Sequence, residues 1–261
     1  MVRRWCFPLA GLALVGGALA ASAPAAAASH PARPTIHLLR PAMHGTAPMA
    51  AFGRSANAVA SQNWSGYAAH AKTYKKISAS WVEPTAHCTG SRTFSSFWVG
   101  LDGYNSHTVE QTGSEVDCRS GHARYYSWYE MYPALPVNFS NPVHPGDHFA
   151  GSVTFTGSGH YTLVLKDTTQ GWSHTIHKTR TRAHHSSAEV IAEAPSSLTG
   201  GVLPLTNFGT AHFSNARVNG AALGSANPTK IIMINGSGRV KASVSALAGG
   251  TAFSAKWLRS T

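Results

Sequence analysis

Acidic residues are scarce in this chain: its 261 residues include 10 Asp and Glu against 21 Lys and Arg, and all 10 acids lie after position 60. Only Asp102, Asp117, Asp147 and Asp167 are aspartates, and none has the Asp-Thr/Ser-Gly context of an aspartic dyad. Cysteine is just as sparse. Beyond Cys6 there are Cys88 and Cys118, without the short spacings that a zinc site needs. Neither an H-E-x-x-H metal motif nor a G-x-S-x-G elbow occurs. No segment sustains a helical period, which excludes a helical bundle, and no unit repeats at a fixed interval, which excludes a solenoid or propeller.

What is present begins with a leader. Met1-Val2-Arg3-Arg4 is basic, Trp5 to Ala20 is apolar, and small residues such as Ala21-Ser22-Ala23 follow. This is the pattern of a secretory signal peptide over residues 1–28. The apolar run is short for a membrane span and is broken by Pro8 and several Gly, so the mature form is expected to be secreted, with no membrane anchor. Residues 29–60 hold Pro, His, Arg and small residues, with no acid and no period. Such a segment buries too little apolar surface to order itself and reads as a propeptide or a disordered linker. Residues 61–261 have the size of one domain with a substantial core. There 16 Lys and Arg stand against 10 acids, leaving +6 with His neutral. The basic residues are scattered, apart from Lys178-Thr179-Arg180-Thr181-Arg182, expected as a solvated hairpin or loop. No nucleic-acid motif accompanies them, so no nucleic-acid partner is expected. In an exported domain Cys88 and Cys118 are expected to form a disulfide. Closing a loop of about thirty residues would contribute on the order of 3–4 kcal/mol.

From Asn63 onward, short segments rich in Val, Ile, Thr, Tyr and Trp alternate with turn clusters such as Pro145-Gly146-Asp147 and Gly236-Ser237-Gly238. Strands are expected at 77–82, 93–99, 123–131, 148–155, 160–166, 187–192, 211–213, 230–234 and 240–244. The fold class is therefore all-β: two antiparallel sheets packed as a β-sandwich of jelly-roll or concanavalin-like kind. Alternation along 123–131 sends Tyr126, Trp128 and Glu130 to one face and Tyr125, Ser127 and Tyr129 to the other. A face carrying Tyr, Trp and Glu together reads as the floor of a groove; a half-exposed sheet face is the plainer alternative.

Two segments place polar groups inside apolar strands. Val109-Glu110-Gln111-Thr112-Gly113 follows the turn at Phe97-Trp98-Val99-Gly100-Leu101-Asp102-Gly103, and Ser187-Ala188-Glu189-Val190-Ile191-Ala192-Glu193 holds two carboxylates. Buried carboxylates are costly unless paired or used for chemistry. In a regular strand Glu189 and Glu193 share a face with Ile191, their Cα atoms about 13 Å apart, too far for a shared proton. One can then act while the other supports it. His174 with His177, and His184-His185, lie in polar, turn-like stretches, and no metal site is expected from them.

These pieces resemble the eqolisins, or glutamic peptidases: secreted, acid-acting endopeptidases built as β-sandwiches. The resemblance runs from Asn63-Trp64-Ser65-Gly66 to the final strands. Along it, Trp98 to Gly103, Gln111-Thr112-Gly113, Trp128-Tyr129-Glu130-Met131-Tyr132-Pro133 and Ala188 to Glu193 stand in the family's order. It implies polypeptide substrates, no cofactor, and a catalytic dyad falling on Gln111 and Glu193. Trp64, Asp102, Trp128 and Glu130 would surround the substrate groove, with Glu189 as a supporting or alternative catalytic residue. Glu193 would take a proton from water and pass it to the leaving amine. Gln111 would orient that water and donate its amide N–H to the oxyanion, without titrating in acid.

Two departures stand out. The domain is basic where fungal members are strongly acidic, so their optimum pH does not carry over. Tyr126 occupies a position, two before the groove Trp, where the family pattern has an acid. The rival readings are a sandwich glycosidase, a secreted carbohydrate-binding module, and a family member without activity. Retaining glycosidases need carboxyls about 5–5.5 Å apart, and Ile191 stands where the second acid would be. A binding module gives Gln111 and Glu193 no shared task. A monomer is the default, and N-x-S/T sequons fall at Asn63, Asn138 and Asn235.

Overall fold

The computed structural model describes residues 58–104, 106–197 and 201–261, so the expected signal peptide and nearly all of the 29–60 segment lie outside the described residues. The described chain is built of strands. In order they are β1 (Ala58–Ser61), β2 (Trp64–Ala69), β3 (Lys76–Val82), β4 (Thr93–Leu101), β5 (Val109–Arg119), β6 (His122–Tyr132), β7 (Val137–Asn138) and β8 (His148–Gly157). There follow β9 (His160–Asp167), β10 (Trp172–Thr179), β11 (Ala188–Glu193), β12 (Thr210–Val218), β13 (Ala221–Ala222), β14 (Thr229–Ile234), β15 (Val240–Val244) and β16 (Phe253–Trp257). Strand structure thus starts at Ala58, slightly ahead of the boundary expected at 61.

Hydrogen bonding follows one path, β10-β9-β8-β3-β12-β16-β15-β14-β2-β11-β4-β5-β6-β7, with β13 beside β12 and β1 beside β14. The β1–β14 pair is parallel and the others are antiparallel. The expected pair of sheets is therefore one ribbon of strands folded over on itself. β3, β8 and β9 come to face β4, β5 and β11 across the core.

The two layers differ in how their strands are buried. β3 and β9 alternate: Ile77, Ala79 and Trp81, with Tyr161, Leu163 and Leu165, point inward, while Lys76 and Lys166 point out. That is the pattern of a sheet with one wet face. β2, β4 and β11 are buried along their whole length. One of their faces gives Tyr67, Phe97, Val99 and Val190 to the main core; the other forms a second cluster of Trp64, Trp98, Trp128, Ile191 and neighbours. A polar link crosses between the layers. Trp81 Nε1 donates to Ser114 Oγ at 2.8 Å, and Ser114 donates to the Glu83 carboxyl. Cys88 and Cys118 are disulfide-bonded, tying the β3–β4 connection to the end of β5.

Two local expectations need correcting. His174 and His177 lie on the edge strand β10, not in a turn, and His174 stacks on Phe139 with ring centroids 4.1 Å apart. The basic run 178–182 is only partly a solvated loop. Lys178, one residue before the end of β10, holds its ammonium 5.2 Å from the Tyr129 ring, and Arg180 donates to the Met131 carbonyl.

All of the acids point inward: nine of the ten are buried and Asp117 is partly so. Burial pushes Glu83 and Glu110 from the ordinary 4.5 up to about 8. In the fold these groups keep their protons at pH values where the unfolded chain has already lost them. Stability is therefore fully present below pH 4.5 and declines as pH rises toward 8. Each such carboxyl contributes a slope of up to about 1.4 kcal/mol per pH unit. His185, pushed down by burial, opposes this below its ordinary 6.5. Urea midpoints should therefore fall between pH 5 and 8, and a midpoint that rises across that range contradicts the assignment. Replacing both Cys88 and Cys118 by Ser should lower stability by about 3 kcal/mol, read in the same titration.

Candidate active site

β11 sits between β2 and β4, so its main chain is satisfied on both sides and its side chains are fixed in register. Three cross-strand rows result on the face turned away from the main core. The first holds Trp64, Glu193, Ser96, Glu115 and Tyr126; the second Gly66, Ile191, Trp98, Gly113 and Trp128; the third Ala68, Glu189, Gly100, Gln111 and Glu130. Trp64, Gln111, Trp128, Glu130, Glu189 and Glu193 thus share one face of one sheet. The alternation expected for Tyr126, Trp128 and Glu130 holds: Tyr126 and Trp128 join the second cluster while Tyr125 and Tyr129 pack on the main core.

Glycine makes two of these rows possible. A Cβ at Gly113 would stand 2.4 Å from the Phe97 carbonyl oxygen and 2.6 Å from Trp98 Cβ, so only glycine lets β4 and β5 approach there. A Cβ at Gly100 would meet the Trp98 ring at 2.9 Å and Gln111 Cβ at 3.1 Å. Its absence leaves the strand between Glu189 and Gln111 without a side chain.

Glu193 is 2% exposed, and each of its oxygens has a donor. Trp98 Nε1 donates to Oε2 at 2.7 Å and Asn63 Nδ2 to Oε1 at 3.1 Å. Asn63 is itself oriented by Ser61, whose hydroxyl donates to Asn63 Oδ1 at 3.0 Å. Burial pushes the Glu193 carboxyl up to about 8, and the bonds from Trp98 and Asn63 pull in the opposite direction. Glu189 is held differently. It is fully buried, and burial pushes it well above the carboxylate range against smaller opposing pulls from the Ser187 hydroxyl and the Tyr104 main chain.

Gln111 donates from Nε2 to Glu130 Oε2 at 2.6 Å, while its buried Oε1 has no partner. Trp128 Nε1 is likewise buried without one. At the far end of Glu193's row, Tyr126 donates its hydroxyl to Asp117 Oδ2 at 3.2 Å. Burial raises Asp117 to about 6 and, together with the Asp117 charge, drives Glu115 well upward.

Asp102 is the expected residue that does not join this face. Its Oδ2 accepts from the His184 and His185 amides at 3.0 and 2.8 Å, and its Oδ1 from the Ser186 amide and hydroxyl at 2.8 and 3.1 Å. It fastens the turn that leads into β11. Asn63 stood in the sequence as a sequon and as the start of Asn63-Trp64-Ser65-Gly66, with no role expected of it, yet it is buried with its amide on Glu193. Its place beside Trp64 in Asn-Trp-Ser-Gly was the available signal. Among the described residues no three His, Cys, Asp or Glu side chains are placed to hold a metal ion.

In sequence and in fold the chain is similar to known proteins. The Peptidase A4 family pattern matches residues 62–257. Scytalidopepsin B of Scytalidium lignicola is 32% identical over 116 residues, which are 44% of this chain and 43% of the relative's length. Scytalido-glutamic peptidase, solved with a transition state analog inhibitor, superposes with a TM-score of 0.68 at 22% identity, covering 76% of this chain and 98% of that one. Aspergilloglutamic peptidase from Aspergillus niger gives 0.57 at 25% identity, over 64% and 99% of the two chains. The shared β-sandwich and a match through nearly all of residues 58–261 lead to one conclusion: this chain belongs to the Peptidase A4 family, the eqolisins.

Proposed function

We propose that the protein is a secreted glutamic endopeptidase that hydrolyses polypeptides in acid, using Gln111, Glu193 and one activated water. The observation that carries this reading is Glu193. It is a buried carboxyl with a donor on each oxygen, on the same sheet face as an amide whose own oxygen is unclaimed, in a chain of this family. In its ionised form, which the donors from Trp98 and Asn63 favour against burial, Glu193 takes a proton from water as the water attacks the scissile carbonyl, then returns it to the leaving amine. Gln111 has two N–H groups. Glu130 holds one, leaving the other for the oxyanion, while Oε1 accepts from the water. Trp64 and Trp128 flank the substrate, and Asp102 acts at one remove by positioning β11. Export is supported by the leader-like residues 1–28, and an acid working range by the inward carboxyls, which favour the folded state at low pH.

One observation favours a second reading. Gln111 shares its cross-strand row with Glu189, with only Gly100 between them, so Glu189 is the alternative partner.

Denatured casein digested between about pH 2 and 7, with pepstatin and a chelator present, tests both readings. The wild type should cleave despite the inhibitors, and folded Glu193→Gln should lose about 10²–10⁴-fold in rate. Glu189→Gln should keep most of the activity if it folds. The reverse ranking hands the catalytic role to Glu189, and a folded wild type that cleaves nothing removes the peptidase reading. Trp98→Phe gives a further check. It deletes a bond that favours the Glu193 carboxylate, so Glu193 should titrate higher and the acid limb of the rate profile should move to higher pH. An unmoved limb means that Glu193 is not the group being ionised.

A further inference from the structure

Lys241, on β15, is the one Lys or Arg among the described residues that is buried, at 4% exposure. Its Nζ makes a single long contact, 3.5 Å to the Gln62 carbonyl, although an ammonium has three N–H groups to satisfy. Burial alone pushes its pKa from 10.5 down to about 8. A cation taken out of water without a counter-charge is unfavourable. This chain buries nine carboxylates and sets none of them beside it.

Lys241 lines a cavity of about 270 Å³ with two kinds of wall. Val202, Leu203, Pro204 and Ile234 are apolar; Gln62, Asn235, Ser260 and Thr261 are polar, no Asp or Glu side chain takes part, and Lys241 makes no ion pair with the main-chain carboxylate of Thr261. A pocket with an apolar wall, a polar wall and one buried ammonium suits a small amphiphile of opposite charge. We propose that this cavity binds a small organic carboxylate, its head on Lys241 Nζ and its apolar body against Val202, Leu203, Pro204 and Ile234. The C-terminal residue of a peptide and a free aliphatic acid share that chemistry.

The site is separate from the proposed catalytic face. β15 stands two strands beyond β2 in the sheet, and none of the cavity's residues has a part in the peptidase reading. The two therefore stand or fall independently. They are close in the chain all the same: Gln62, which lines the cavity, precedes Asn63, whose amide holds Glu193.

Calorimetric titration of the purified protein near pH 6 with N-acetyl-leucine, N-acetyl-leucine amide, hexanoate and acetate tests the proposal. N-acetyl-leucine or hexanoate should bind, and the stronger of the two identifies the source as peptide end or free acid. The amide should bind at least about tenfold more weakly, the loss expected for one charge-assisted hydrogen bond. Lys241→Met should cause a similar loss and Lys241→Arg should restore binding. Affinity for the acids should also fall as pH passes about 8, where Lys241 gives up its proton. Equal binding of acid and amide, unchanged affinity in folded Lys241→Met, or no binding by any of the four overturns the proposal. Equal binding of acetate and hexanoate overturns the apolar half of it.

Discussion

β11 has to carry two carboxyl groups through the middle of a sheet that has no water on either face. Ala188, Val190 and Ala192 pack on the main core, and Glu189, Ile191 and Glu193 face the second cluster. A strand in that position cannot shift by one residue, because the slip would turn both carboxyls into the core. The surroundings hold it in place. β2 and β4 satisfy its main chain, Asp102 secures the turn before it with four hydrogen bonds, and Asn63 and Trp98 fix its last side chain. Asn63 lies 130 residues from Glu193 in sequence and Trp98 lies 95 away. The site is therefore complete only once the whole sheet is.

The same economy of acids governs the rest of the molecule. The second layer has its own buried carboxyl, Glu83, reached through Ser114 from Trp81. Ser114 and Glu115 are neighbours on β5 and point to opposite faces, so one strand meets a raised carboxyl on each side. In neutral solution such groups strain the fold, since ionising any of them puts a charge where no solvent reaches. In acid they are ordinary hydrogen-bonding groups. The fold is thus favoured in acid, whereas the proposed base must ionise there against its burial, helped by the donors from Trp98 and Asn63.

How much of this the sequence showed depended on burial. β3 and β9 were legible because one face is wet, and Ile77-Ala79-Trp81 alternates visibly with Lys76-Ser78-Ser80. The residues of the second cluster were legible as motifs, and Gln111, Glu189, Glu193, Trp128 and Glu130 do fall on one face. β2 and β5 showed no clear period, because strands buried on both sides have no polar side to alternate with. The tie from Asn63 to Glu193 and the grip of Asp102 on residues 184–186 were hidden for another reason. Each joins a turn to a distant element, and no local pattern encodes which distant carboxylate or amide a side chain will meet. Lys241 was invisible too: a lone lysine in a strand resembles every surface lysine until its surroundings are known.

The inward placement of every acid also sets how the molecule behaves among copies of itself. Nine of the ten acids are buried and only Asp117 reaches the surface in part, so the exterior's side-chain charges are almost all Lys, Arg and His. Most proteins lose surface charge as solution turns acid, pass through an isoelectric point and precipitate there. This one has few exterior anions to neutralise, and its histidines add charge on the way down. Acidification should therefore increase the repulsion between molecules and keep them dispersed where acidic proteins around them clump.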